Sequence, residues 1–164
     1  MTDLIHAAGA EPVPAESPVP GVQPTYSQIR ALEAAMLATG QTIEPHVEHH
    51  WADGIYGREM VAEADSLVVG KVHRQATLNV LLEGEITVTT PQGLRRICAP
   101  AVFTSPAGTK KVGYAHTRVR WLNVHPTRLT DLAAIESKFI APEPPHGEAL
   151  HHAPEEERPC LGQQ

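Results

Sequence analysis

Between Lys71 and Leu82 polar and apolar residues alternate. Lys71, His73, Gln75, Thr77 and Asn79 share one side of an extended chain, while Val72, Ala76, Leu78, Val80 and Leu82 mostly share the other. The polar side combines an ammonium, an imidazole, two amides and a hydroxyl. That set suits an anionic or polyhydroxylated small molecule, and His73 adds a group that exchanges a proton near neutral pH. On a plain half-buried strand this side faces water; in a barrel with a wet cavity it faces inward, and the pattern leaves both open. An inward polar side forces Leu78, Val80 and Leu82 outward, where a terminal helix or a second subunit must cover them. Dimerisation or helix docking is therefore expected. Further along, Trp121, Asn123 and His125 share one parity, so Trp121 reads either as a core residue or as a stacking wall beside two polar groups.

The remaining histidines lack diagnostic spacing. His49 and His50 are adjacent, so on a strand they point to opposite faces and at most one can join His73. His116 falls in an expected turn and His125 near the end of the last strand, while His146, His151 and His152 lie in a proline-rich tail. Glu44, Glu48, Asp53, Glu59, Glu63 and Asp65 show no pairing that implies acid–base work, and read as solvated charges. There is no phosphate-binding glycine loop, nucleophile elbow or zinc ribbon. A barrel supplies no helix for a DNA groove, and nucleic-acid recognition is not expected.

The elements that must carry these groups are short and mostly extended. Thr25–Thr39 carries Ile29, Leu32 and Met36 at helical spacing, with Thr25 or Ser27 as N-cap and Gly40 after the end. From Val47 on, β-branched runs alternate with turn residues: Val47–Trp51, Ile55–Ala62, Ser66–Val72, Ala76–Leu82, Glu85–Thr90, Leu94–Cys98, Ala101–Ser105, Lys110–Tyr114 and Val119–His125. Ala52-Asp53-Gly54, Glu83-Gly84, Pro91-Gln92-Gly93 and Pro106-Ala107-Gly108 mark turns. Thr130–Ile140 places Leu132, Ile135 and Phe139 on one helical face, and Pro142 stops it. This is the pattern of an all-β sandwich or barrel with a short helix at each end.

At 164 residues the chain fits one domain. Five of its 15 prolines lie in 1–24 and five in 141–164, and neither stretch has apolar periodicity. Both ends read as flexible arms. They also carry the acidity: three acids in 1–24, and five acids against Arg158 in 141–164, supply −7 to a net charge of −6. Between Gly70 and Arg128 nine Lys/Arg face only Glu83 and Glu85. That half attracts an anionic ligand or an acidic surface, or is a solvated basic face balanced by the tails. No signal-peptide pattern and no long apolar run is present, so a cytoplasmic protein is expected. Cys98 and Cys160 have neither metal nor disulfide-framework spacing and read as free thiols.

The run Gly70-Lys71-Val72-His73-Arg74-Gln75-Ala76-Thr77-Leu78-Asn79-Val80-Leu81-Leu82-Glu83-Gly84-Glu85 resembles the first motif of the cupins, a glycine, a His-rich strand and an LEGE-type turn. Pro106-Ala107-Gly108-Thr109-Lys110-Lys111 looks like the second, a proline-x-glycine followed three residues later by a histidine. The likeness spans about residues 47–126 and extends to small cupin-like proteins encoded by phages and prophages. It implies a jelly-roll barrel whose interior often holds a divalent metal on three His and one Glu, in oxygenases, isomerases and non-catalytic binding proteins alike. The ligand positions depart from that pattern. Counted back from Gly84 they fall on Lys71, His73 and Thr77; counted forward from His73 they fall on His73, Gln75 and Asn79. Lys111 stands at the second-motif histidine, and an ammonium has no lone pair. Either count leaves His73 alone, so no cofactor is expected, and His49, His50 and His125 are the residues a rearranged divalent-metal centre would draw on with it.

Taken together these readings describe an all-β cupin-type jelly-roll barrel: an arm (1–24), a helix and linker (25–46), the barrel (47–126), a closing helix (127–141) and an acidic tail (142–164). Its cavity would bind an anionic small molecule through Lys71, His73, Gln75, Thr77, Asn79 and Lys111, with Tyr114, Trp121 and His125 around them. The expected role is a non-catalytic, phage-associated binding module or structural block, homodimeric or larger, with virion proteins as neighbours and no membrane contact. The alternative is an enzyme, either a metal-dependent oxygenase or isomerase with a rearranged site, or a metal-free epimerase-like enzyme with His73 as base and Tyr114 as acid.

Overall fold

Period-two alternation and turn glycines become strands and hairpins in the computed structural model, which describes residues 4–7, 24–91 and 93–143. In chain order the elements are β1 (Leu4–Ala7), α1 (Tyr26–Ala38), β2 (Thr42–Ile43), β3 (His46–Ala52), β4 (Ile55–Ala62), β5 (Ser66–Val69), β6 (Thr77–Glu83), β7 (Glu85–Thr90), β8 (Gly93–Cys98), β9 (Ala101–Ser105), β10 (Val112–Ala115), β11 (Val119–Pro126) and α2 (Leu132–Phe139). Two antiparallel sheets face each other. One, here sheet A, runs β2-β1-β5-β10-β7-β8; the other, sheet B, runs β3-β4-β11-β6-β9. Within them the eight strands β4 to β11 split as 5-10-7-8 and 4-11-6-9, the strand order of a jelly roll. The fold follows from this connectivity.

Nine strands and both helices lie where patterning predicts them. The exceptions are β1 and β2, which extend sheet A beyond β5: Ile5 pairs with Val68 on one side and Ile43 on the other. Leu4–Ala7 thus forms a strand within the stretch read as a flexible arm. The rest of 1–23, and the acidic tail from 144 with Cys160 and its three histidines, lie outside the described residues.

The helix α1 begins at a capping box in which Thr25 accepts from the Gln28 amide and Gln28 reaches back to the Thr25 amide. Its Ile29 and Met36 pack on Val69, with Leu32, Leu67 and Val112 around them, so α1 covers the outer face of sheet A. The helix α2 is capped by Asp131. It closes one end of the sandwich by packing Ile135 and Phe139 on Tyr56. Between the sheets lies an apolar core containing Met60, Leu81 and Trp121 of sheet B and Val68, Ile86 and Val88 of sheet A. The β6–β7 turn that joins the two sheets needs Gly84, whose φ is +85° and whose added Cβ would collide with the Arg118 carbonyl oxygen.

Candidate functional site: a polar cavity on sheet B

In β6, Thr77, Asn79 and Leu81 are buried while Leu78 and Leu82 are 43% and 40% exposed. The polar side therefore faces inward. The alternation does not continue back through residues 71–75, which form no regular strand. Their backbone pairs instead with the 108–111 loop and with the exit of α2: Gly70 N–H donates to Lys111 O (3.0 Å), Gly108 N–H to His73 O (2.8 Å), Arg74 N–H to Phe139 O (2.8 Å) and Ala141 N–H to Val72 O (2.9 Å). These bonds set Lys71 and His73 beside Lys111. They also turn Gln75 out to solvent, so it is not a cavity residue.

Lys71, His73, Lys111, Trp121 and Asn123 line one cleft between the sheets, with Ile86 and Val88 as its apolar wall. Its space is about 510 Å³, counting the part open to solvent. Asn79 organises the floor. Its amide nitrogen donates to Thr77 O (2.8 Å) and Ser105 Oγ (2.9 Å), and its Oδ1 accepts from Lys111 Nζ (3.2 Å) and Asn123 Nδ2 (2.9 Å). The Lys111 ammonium also sits 5.6 Å from the Trp121 ring centre, a cation–π arrangement. Trp121 is thereby both a core residue, with Phe103 edge-on to it at 5.1 Å, and a wall of the cavity. At the mouth, Lys71 Nζ donates to Glu136 of α2 at 2.8 Å, which holds that carboxyl below the usual range.

Behind the cleft, His73 Nδ1 shares a hydrogen bond with Thr77 Oγ1 (2.9 Å), and its ring stacks on His125 with centroids 5.3 Å apart and planes 19° from parallel. His125 continues to Phe139 (4.6 Å) and Tyr56 (6.0 Å). Burial pushes the His125 imidazole down to about 4, with the buried Arg58 guanidinium adding to the effect. His125 is therefore a neutral ring at pH 7, a structural neighbour of His73 rather than a ligand group at the mouth. Its Nε2 is buried without a hydrogen-bond partner among the described residues.

The resemblance to cupins implies a divalent metal inside the barrel, and the residues found here do not fit one. Of the two motif counts, the one running back from Gly84 matches the structure, and it supplies Lys71, His73 and Thr77, with Lys111 opposite. Two of those four groups are ammoniums, and the one imidazole has its Nδ1 on Thr77. Stacked rings such as His73 and His125 hold their in-plane lone pairs roughly parallel, so they do not converge on a single ion. His49 points inward but bonds Tyr56 Oη at 2.8 Å, and His50 points outward to Glu59 at 3.1 Å.

Tyr114 also leaves the set. Gly113 and Ala115 are buried, and Tyr114 between them turns to the outer side of sheet A, its hydroxyl donating to Asp65 at 3.0 Å. Lys111 and Tyr114 are three residues apart, an odd step along an extended chain, and so occupy opposite faces. The His73–Tyr114 acid–base pair is not formed. Asn123 joins the site as its parity with Trp121 suggested, while Ser105 is a part of the site that sequence reasoning passes over. Lys110, next to Lys111, is buried under α1 on Glu33 and Glu143 and takes no part in the cavity.

No family model matches this chain, and no curated protein does. Among solved structures it is similar to a cupin superfamily protein from Desulfitobacterium hafniense (16% identity over 50% of this chain and 78% of that one, TM-score 0.41). It is also similar to a cupin-like protein from Thermotoga maritima (12%, 52% and 70%, TM-score 0.44) and to the cupin domain of a Schizosaccharomyces pombe protein (16%, 58% and 69%, TM-score 0.41). These scores carry no argument about function, and the jelly roll stands on the strand order given above.

Proposed function

We propose that this jelly roll is a non-catalytic, cupin-like binding module whose cavity takes a small molecule bearing a carboxylate or phosphate. The observation that carries the reading is Lys111: its ammonium is held inside the cleft by Asn79 and the Trp121 face, beside His73 and Lys71, where an anion would meet convergent donors. A charge-assisted hydrogen bond of this kind is worth about 1.5–3 kcal/mol, or roughly 10- to 100-fold in affinity. The test is a panel of small carboxylates and phosphates screened by thermal shift, with hits titrated calorimetrically against wild type and Lys111→Met. Binding weakened at least tenfold in the variant, at an unchanged fold, is the expected result. A panel in which no compound stabilises the wild type, or in which Lys111→Met binds equally well, sinks the proposal.

The partner is a second copy of the chain, meeting the outer face of sheet B. Leu78, Leu82 and Val102 are 43%, 40% and 67% exposed there, and Val80, Leu122 and Val124 lie between them in register. The likeness of residues 70–85 and 106–111 to phage and prophage cupins supports a phage-associated role in the host cytoplasm or within a particle. Among the described residues no helix is long and apolar enough to cross a membrane.

A further inference from the structure

A second cluster of ligand-type side chains lies outside the barrel, at the edge hairpin β3–β4. Alternation along β3 puts His46, Glu48 and His50 on one face, and the register sets Glu59 of β4 directly across from Glu48. Gly57 stands opposite His50, leaving space over which the imidazole reaches Glu59; a Cβ there would lie 3.4 Å from His50 Cβ and 3.0 Å from Leu122 Cδ1. The result is a close set of donors: His50 Nε2 is 3.1 Å from Glu59 Oε2, His46 Nε2 is 3.4 Å from Glu48 Oε1, and the ligand atoms of Glu48, His50 and Glu59 all lie within 4.8 Å of one another.

We propose that His46, Glu48, His50 and Glu59 form a zinc-type divalent cation site on the outer face of sheet B. Zinc bonds to nitrogen and oxygen are about 2.0–2.2 Å, so the edges of a tetrahedron around it are roughly 3.3–3.5 Å, close to the two spacings seen here. Two imidazoles among four donors favour zinc and its first-row neighbours over calcium or magnesium, which take oxygen ligands. Glu59 is the preorganised member. Its side chain is 5% exposed, and Arg120 Nε donates to its Oε1 at 2.6 Å, which aims Oε2 at His50 and leaves the other three to close by rotation of exposed side chains. Arg120 also offsets one of the two carboxylate charges.

Titration of the tag-free full chain with zinc chloride by calorimetry tests this, using His46→Ala/His50→Ala, Glu59→Gln, and a control with His146, His151 and His152 changed to Ala. The expected result is one zinc per chain, weakened at least tenfold by the double variant and by Glu59→Gln but retained in the tail control; cobalt bound in place of zinc absorbs as a tetrahedral complex. His46 and His50 are exposed, so the double variant folds even where Glu59→Gln does not. Absence of saturable zinc binding, or binding lost only in the tail control, overturns the proposal.

Discussion

The two sheets of this sandwich are built on opposite plans. Sheet A turns Val68, Ile86, Val88 and Ile97 inward and has its outer apolar residues, Leu67, Val69 and Val112, covered by α1. Sheet B turns Arg58, Thr77, Asn79 and His125 inward, all nearly or fully buried, and leaves Leu78, Leu82 and Val102 outside without such a cover among the described residues. The same strand periodicity thus delivers an apolar wall from sheet A and a polar floor from sheet B, to which the connecting segments add Lys71, His73 and Lys111. A cavity that must recognise a polar group needs only one such sheet, with the other providing the packing that keeps the site rigid.

The contrast is breakable at graded cost. Ile86→Ala on sheet A removes a side chain 2% exposed, and about 3 kcal/mol of stability should be lost in urea denaturation; a loss below 1 kcal/mol would show that the apolar wall is loose. On sheet B the sensitivity is to protons. Burial holds the folded His125 imidazole at about 4 against 6.5 when unfolded, so stability is undiminished above pH 6.5 and is lost as pH falls toward 4, the loss reaching on the order of 3 kcal/mol there. Urea midpoints at pH 7, 5.5 and 4.5 should fall more steeply in wild type than in His125→Asn; parallel curves would remove His125 as the cause. Asn79→Ala leaves the Asn123 amide and Lys111 without their common acceptor, at about 2 kcal/mol, and weakens anion binding as well. A variant that lost stability but kept binding would separate the floor from the site. Smallest in stability is Val102→Asp on the outer face, within about 0.5 kcal/mol per protomer. Its readout is oligomeric state by light scattering, where a dimer reduced to monomer is expected and a monomeric wild type would refute self-association.

Local pattern carried most of the fold, since alternation and turn glycines are short-range signals; parity grouped Thr77 with Asn79 and motif position picked out Lys111, while which side faces inward was settled only by the packing of the two sheets. What escaped depends on contacts between distant segments. Residues 71–75 look like a continuation of β6, yet their backbone bonds go to the 108–111 loop and the end of α2, which no periodicity announces. Glu59 reads as one more surface acid until β3 and β11 bring His50 and Arg120 over it. Lys110 and Lys111 are alike by type; motif position singled out Lys111 for the cavity, but that Lys110 forms a buried ion pair follows only from the packing of α1. Tyr114 is different: the odd step from Lys111 that sets it on the opposite face is visible in the sequence.

Glu143 offers a last consequence. Its carboxylate accepts from Lys110 Nζ at 2.7 and 2.9 Å and from Tyr26 Oη at 3.4 Å, and lies 3.6 Å from Arg30, so the exit from α2 is fastened to the start of α1. Two points 117 residues apart along the chain are neighbours in space. A gene rearranged to join residue 143 to residue 24 through a short linker, and opened at the Asp53-Gly54 turn, would keep the eight jelly-roll strands and α2 in their order and carry α1, β2 and β3 at its end, with the pairings of those eight strands intact.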